Sequence, residues 1–295
     1  MEIHQLRYFV EVVRTSGFTR AAERCHVTQP TLSQQVRKLE EMLGEPLLQR
    51  RRDGVILTSF GKTFYERALA ILAEVRAAQE EAAAFRGELK GSLHLGMIPT
   101  VAPYLTPRML KDSLSRFPQI TFRITEDTTD NLMQAMRKGT VDLSLLSLPL
   151  PGDEWVAAEL MRDEILVALP KNHALGGKPR VNLQRLAGEP LVLMQEAHCL
   201  RGQSLSLCSQ AGWQPEVFFY SSQIDTLLAM VEAGLGISFI PAMARPYMGR
   251  RQVKLRSLAK GGAFRTIALV RHRQSSPTRA LQRFWDTCLA TFAKD

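Results

Sequence analysis

The chain has 295 residues, 45% apolar, with 38 Lys and Arg against 29 Asp and Glu and only 4 Cys. That length supports two or three compact units, and the composition excludes a mainly disordered or collagen-like chain and a fold that needs disulfide staples. No apolar run nears the roughly 18 residues of a membrane span and Met1-Glu2-Ile3-His4 opens no signal peptide, so we expect a cytoplasmic protein with reduced thiols and no membrane partner. The net charge of +9 points to a polyanionic partner, yet it is unevenly placed. Residues 1–90 carry 14 basic and 12 acidic side chains, 91–241 carry 12 and 15, and 242–295 carry 12 and 2. Local pattern, rather than total charge, must carry any nucleic-acid argument.

Leu6, Phe9, Val10 and Val13 form the stripe of an amphipathic helix. Gly17 interrupts it, and 18–24 reads as a second short helix whose Ala21-Ala22 admits a close neighbour. Thr28 is a candidate N-cap for a third helix, with Pro30 in its first turn and Leu32, Val36 and Leu39 along its inner face. Gly44 ends it. Two short helices joined by a tight turn, the second capped and polar outside, form a helix-turn-helix pattern. Its outer face offers Gln29, Pro30, Thr31, Ser33, Gln34, Arg37 and Lys38 to base edges and phosphates. Residues 47–57 read as a hairpin turning at Asp53-Gly54, a wing whose Arg50, Arg51 and Arg52 would grip the backbone. A three-helix bundle with a solvated polar face is the plainer alternative. The cap, wing and arginine run in succession favour double-stranded DNA as the partner.

Leu6-Arg7-Tyr8-Phe9, Ala21-Ala22, Val27-Thr28-Gln29-Pro30-Thr31-Leu32-Ser33, Leu39-Glu40, Leu57-Thr58 and Gly61 resemble the winged helix-turn-helix of LysR-type transcriptional regulators. Phe64, Ala68, Ile71, Val75, Ala78, Ala82 and Phe85 then follow at spacings of four and three, the 3.5 period of a coiled-coil dimerisation seam. The resemblance implies the same arrangement, with dimers assembling into homotetramers and RNA polymerase as a partner.

From Gly91 strands and helices alternate. Strands are expected at 93–98, 120–126 and 141–147, helices at 102–116 and 129–138, and further strands at 166–169, 191–194, 217–219 and 236–240. Such alternation argues for parallel sheets covered by helices, with ligands beyond the strand C-termini near 99–101, 127–129 and 196–199. The resemblance implies a two-lobed, periplasmic-binding-protein-like α/β effector domain. Expected boundaries are 1–60 for the winged helix-turn-helix, 61–90 for the linker helix and 91–295 for the sensor, with lobe I at 91–162 and 265–295 and lobe II at 163–264. No catalytic motif, CxxC or clustered His is present, so neither an enzyme, a metal site nor a cofactor is expected.

The stretch His198-Cys199-Leu200-Arg201-Gly202-Gln203-Ser204-Leu205-Ser206-Leu207-Cys208 reads as a helix beginning near Cys199. A thiol there meets the positive helix end, His198 and Arg201, each of which favours thiolate. Nine residues of helix rise roughly 13.5 Å, whereas a disulfide tolerates a Cα separation of about 7 Å. The two cysteines therefore bond only if the helix melts, and Gly202, Ser204 and Ser206 weaken it by roughly 2 kcal/mol relative to alanines. Two buried cysteines acting as small hydrophobes is the alternative. His198-Cys199-Leu200-Arg201, Gln203 and Cys208, with 96–101 and 103–105, resemble the peroxide-sensing OxyR branch of the LysR family. That resemblance implies hydrogen peroxide as the signal, Cys199 as the thiol oxidised to sulfenic acid and Cys208 as its disulfide partner. It also implies that Thr100 and Thr129 orient peroxide and His198 supports the thiolate. Gly202 stands where that branch is expected to carry Asp. The competing reading is a LysR-type regulator that binds a small organic anion between its lobes.

Overall fold

Gln5 closes the first turn of the first helix, α1 (Ile3–Thr15), by accepting the Glu2 N–H at 2.9 Å. Ser16, in the left-handed region at φ 53°, turns the chain into α2 (Phe18–Arg24). Thr28 caps α3 (Gln29–Leu43) by accepting the Thr31 N–H, and Gly44 ends that helix at φ 74°. The hairpin of β1 (Leu48–Arg51) and β2 (Gly54–Leu57) is antiparallel, and the Glu40 carboxylate fixes its entry by accepting the N–H groups of Leu47 and Leu48 at 2.8 and 3.0 Å. The computed structural model describes residues 1–51, 54–85, 89–196, 198–259, 261–275 and 277–292. Arg52 of the expected wing, and the side chains of Arg50 and Phe85, lie outside the described residues.

The long helix α4 (Ser59–Phe85) follows. Phe64 packs against Phe9 with ring centres 5.8 Å apart, and Ala68 is fully buried in the same core as Leu6, Val10, Leu39 and Leu47. The first two positions of the expected seam thus complete the reader domain's own core. Farther along, Ile71, Ala78 and Ala82 are exposed and Val75 is half-buried. The physical reason is that the start of this helix docks on the reader core, and a 3.5 spacing does not mark where that contact ends.

The chain divides into two compact units, one built around α1–α4 together with the short segments Arg137–Thr140 and Ser275–Thr278, the other holding the rest from β3 (Gly91–Met97) to the last helix. In the second unit come α5 (Ala102–Arg116), β4 (Ile120–Glu126), α6 (Thr129–Arg137), β5 (Leu143–Leu148) and the 16-residue β6 (Trp155–Pro170). Then follow β7 (Arg180–Val181), β8 (Leu191–Met194), α7 (Cys199–Gln210), β9 (Val217–Ser221), α8 (Ile224–Glu232), β10 (Ser238–Pro241), β11 (Val253–Leu258), β12 (Phe264–His272) and α9 (Arg279–Phe292).

The eight-stranded sheet is mixed rather than parallel, whereas β8 and β9 pair parallel in a sheet of their own. β3 pairs parallel with β4 and β5, but β12 runs antiparallel to both β5 and β6. β6 changes partners along its length: it pairs with β12 through Glu164, and with β10 and β11 from Ile165 onward. No crossover helix joins these strands directly, so helix–strand alternation misses their direction. Two hydrophobic cores result, one around Leu95, Leu145 and Phe284, the other around Leu169, Leu193 and Phe239. β6 and β12 tie these two lobes together.

Gly61 sits in the first turn of α4, where its N–H donates to Thr58 Oγ1 at 2.8 Å. A Cβ there would collide with the Leu47 carbonyl oxygen, which is backbone and cannot swing aside. We expect Gly61→Ala to destabilise the reader unit by about 1–3 kcal/mol through this overpacking, read as a lower thermal midpoint by circular dichroism.

Candidate functional site

α7 begins where the chain leaves β8, with His198 extended at its N-cap and Cys199 as its first helical residue. The helix carries three serines, a glycine and no side-chain cap at its start, so little holds it except burial of Leu200, Ser204 and Cys208. Cys199 is partly buried and packs on the lobe I core, whereas Cys208 is fully buried in the lobe II core. Both are free thiols. One helix thus carries two sulfurs that belong to different cores.

Burial pushes the Cys199 thiol up from its ordinary value. The largest opposing influence is the Arg265 guanidinium, followed by the Thr129 hydroxyl and the N–H groups of Leu200 and Cys199. Of the influences expected from sequence, the helix end acts through these N–H groups, but the His198 and Arg201 side chains do not. Arg201 is engaged by Glu196 at 3.2 Å and lies over the Tyr220 ring, 5.0 Å from its centre. Burial holds His198 below its ordinary value, so at pH 7 it is neutral. Burial drives Cys208 to about 11 and Cys288 to about 12.

Arg265 is the site residue that sequence reasoning missed. It lies in the basic C-terminal stretch and reads there as surface charge, but only 2% of it is exposed. The β6–β12 register sets it opposite Asp163, whose Oδ2 accepts its Nε–H at 2.9 Å. Its Nη1 donates to Thr100 Oγ1 at 2.7 Å and its Nη2 to the Thr100 carbonyl at 3.0 Å. Arg265 therefore connects Thr100, in the turn after β3, to the strands that join the lobes. Thr129 approaches from the first turn of α6. Its buried Oγ1 has no hydrogen-bond partner among the described residues while Cys199 is a neutral thiol, and it can donate to the thiolate. Gln203, one turn along α7, donates to Ser147 Oγ of β5 at 2.9 Å, while its own Oε1 is buried and unpartnered. Thr129, Cys199 and Arg265 thus form one cluster, with Thr100 bound to Arg265. Unsatisfied polar atoms are uncommon in buried sites, and Thr129 Oγ1 beside the thiol supplies capacity for a small oxygen-bearing molecule.

A separate cleft of about 490 Å³ opens between the lobes, lined by Tyr104, Glu126, Gln223, Asp225 and Tyr247 among others. Among the described residues its lining includes two carboxylates and no basic side chain. Burial, with Asp225 adding to it, pushes the Tyr104 phenol to about 12, so it stays protonated.

On the reader unit, Pro30, Thr31, Gln34, Arg37 and Lys38 are exposed along one side of α3, with Gln29 and Ser33 half-buried. Arg37 is held by Glu41 at 3.0 Å, and Arg51 is exposed on the hairpin. The inner face holds Leu32, Val36 and Leu39.

A capped helix-turn-helix with a wing, joined to a two-lobed α/β unit, defines a one-component regulator rather than an enzyme. Residues 3–62 match the lysR family of bacterial regulatory helix-turn-helix proteins, and residues 86–293 match the LysR substrate binding domain. The chain belongs to the LysR family of transcription regulators. Among its relatives, the "Hydrogen peroxide-inducible genes activator" of Pectobacterium carotovorum subsp. carotovorum is 36% identical over 280 residues, covering 95% of this chain and 92% of that one. The "DNA-binding transcriptional dual regulator OxyR" of Escherichia coli is 36% identical over 281 residues, with the same coverage. A full-length OxyR C199D structure from Pseudomonas aeruginosa superposes with a TM-score of 0.82 at 30% identity, covering 98% of this chain and 94% of that one.

Because the Cys199 thiol is raised, only a small share is thiolate at neutral pH, and that share grows as pH rises toward the raised value. Its alkylation by iodoacetamide, followed by peptide mass spectrometry, should therefore accelerate about tenfold per pH unit from 7 to 8.5 without levelling off.

Proposed function

We propose that this chain is a hydrogen-peroxide-responsive transcription regulator that works as a cytoplasmic homotetramer on double-stranded DNA and contacts RNA polymerase. Residues 1–60 read DNA, 61–90 dimerise and 91–295 sense. The observation that carries the reading is Cys199, a desolvated thiol faced by Arg265 and Thr129, on a weak helix whose other cysteine sits in a different core. The names of the relatives support the same signal.

The chemistry runs in two balanced steps. Cys199 thiolate attacks one peroxide oxygen, the O–O bond breaks, and the leaving hydroxide takes a proton to become water, leaving sulfenic acid. Arg265 and the hydroxyls of Thr100 and Thr129 donate toward the oxygens where charge develops. Cys208 thiol then attacks the sulfenic sulfur, and water departs as the disulfide forms. The second step needs α7 to unwind, because roughly 13.5 Å of helix separates the two positions. Unwinding withdraws Cys208 from the lobe II core and releases Gln203 from Ser147, so the covalent bond selects a second packing of the sensor. Gly202 has open space around it and lowers the cost of that unwinding. The carboxylates lining the interlobe cleft weigh against the organic-anion alternative.

Cys199→Ser and Cys208→Ser should each abolish the peroxide-induced change in DNase footprint while leaving the reduced footprint intact. A retained switch in Cys199→Ser would sink the mechanism. On the reader, Arg37→Ala should weaken binding to all DNA sequences and flatten the plot of log affinity against log salt by about one unit per phosphate that the side chain had neutralised.

A further inference from the structure

We propose that Asp163 is a positioning residue for the thiol site, holding the Arg265 guanidinium in the plane from which it serves Thr100 and Cys199. The inference rests on the peroxide reading above.

The geometry is two-sided. Asp163 Oδ2 accepts the Arg265 Nε–H at 2.9 Å, and its Oδ1 accepts the Met243 N–H at 3.0 Å, from the turn that follows β10. The carboxylate is thus held by β12 on one flank and by lobe II on the other, and is 3% exposed. It sits two residues before Ile165, where β6 takes up lobe II partners. A guanidinium carries five N–H groups. One goes to Asp163, one from Nη1 to Thr100 Oγ1, and the two on Nη2 to the Thr100 carbonyl and, at 3.6 Å, to Met243 Sδ. Among the described residues, one Nη1 hydrogen remains uncommitted. With Nε and Nη2 tied down, the planar group cannot rotate, so that last donor has a fixed direction.

Stability alone does not explain the pair. A fully buried ion pair is often no better than apolar residues of the same volume, because desolvation offsets the attraction. Here the cation's far edge serves Thr100, and it is the largest influence favouring the Cys199 thiolate. A buried guanidinium without its counter-ion would stay charged yet be free to tilt. Asp163 therefore fixes its direction and Arg265 supplies the charge.

The test compares two reagents at one sulfur in the full-length protein. Peroxide needs an aligned donor for its leaving oxygen, whereas iodoacetamide needs only thiolate and access. The ratio of their rate constants at Cys199, measured by mass spectrometry, cancels the thiolate fraction at each pH. In Asp163→Asn the ratio should fall at least tenfold from pH 6 to 8.5. Asp163→Glu keeps the pair charge-neutral but lengthens the arm, and it covers the case in which the Asn variant fails to fold; its ratio should fall in the same direction. A merely structural role would slow or speed both reagents together. A ratio within twofold of wild type in a folded variant would overturn the assignment. A wild-type ratio no higher than that of the urea-denatured chain would instead remove the peroxide reading itself, and the inference with it.

Discussion

The buried contact between Arg265 and Asp163 organises the sensor unit. It links the two strands, β6 and β12, that pass between the lobes, at the place where β6 changes partners. Burying a guanidinium is costly unless its donors are met and its charge is matched. Asp163 matches the charge, and Thr100 takes up the far edge. Because Thr100 lies in the turn between β3 and α5, the pair also determines where lobe I presents its hydroxyl relative to the helix carrying Cys199. Burial dominates the Cys199 thiol, and this placement supplies the largest influence that opposes it.

A second constraint is the division of one short helix between two cores. Leu200 and Cys208 pack with Leu193 and Phe239, while Cys199 packs with the lobe I residues. The helix has few other supports: its N-cap makes no side-chain bond, and Gly202 touches nothing a Cβ would meet. Packing and backbone preference therefore compete within α7. The proposed disulfide switch would depend on that competition, since a strongly favoured helix would resist and an unpacked one would have no defined reduced state.

The basic C-terminal stretch has a different meaning in three dimensions. Its charges divide among unrelated tasks. Arg265 is buried, Arg251 bridges Asp225 at 3.0 Å and approaches Glu232 at 3.8 Å, and Arg256 bonds the Leu255 carbonyl. A run of arginines counted along the chain describes no surface when alternate residues of a strand face opposite sides. The reader, nearly neutral by count, instead concentrates Arg37, Lys38 and polar groups on one side of a capped helix.

The reader helices were legible in the sequence because their signals are local. Thr28 caps, Pro30 starts, Gly44 stops, and the apolar spacing of Leu32, Val36 and Leu39 marks a single face. The LysR character and the informative stretch 198–208 were legible for the same reason, each residing in contiguous residues. The mixed direction of β6 and β12 was not, because strand direction depends on pairing across about a hundred residues. Nor did the period along α4 reveal that Phe64 and Ala68 complete the reader core. Proximity in sequence nominated His198 and Arg201 as the charges acting on Cys199, yet one is neutral and the other is engaged elsewhere. The sequence alone determined which helix carries the two thiols and that its geometry keeps them apart. Only the tertiary structure decided which cation faces Cys199, because a residue 66 positions away in the chain reaches it through strand register.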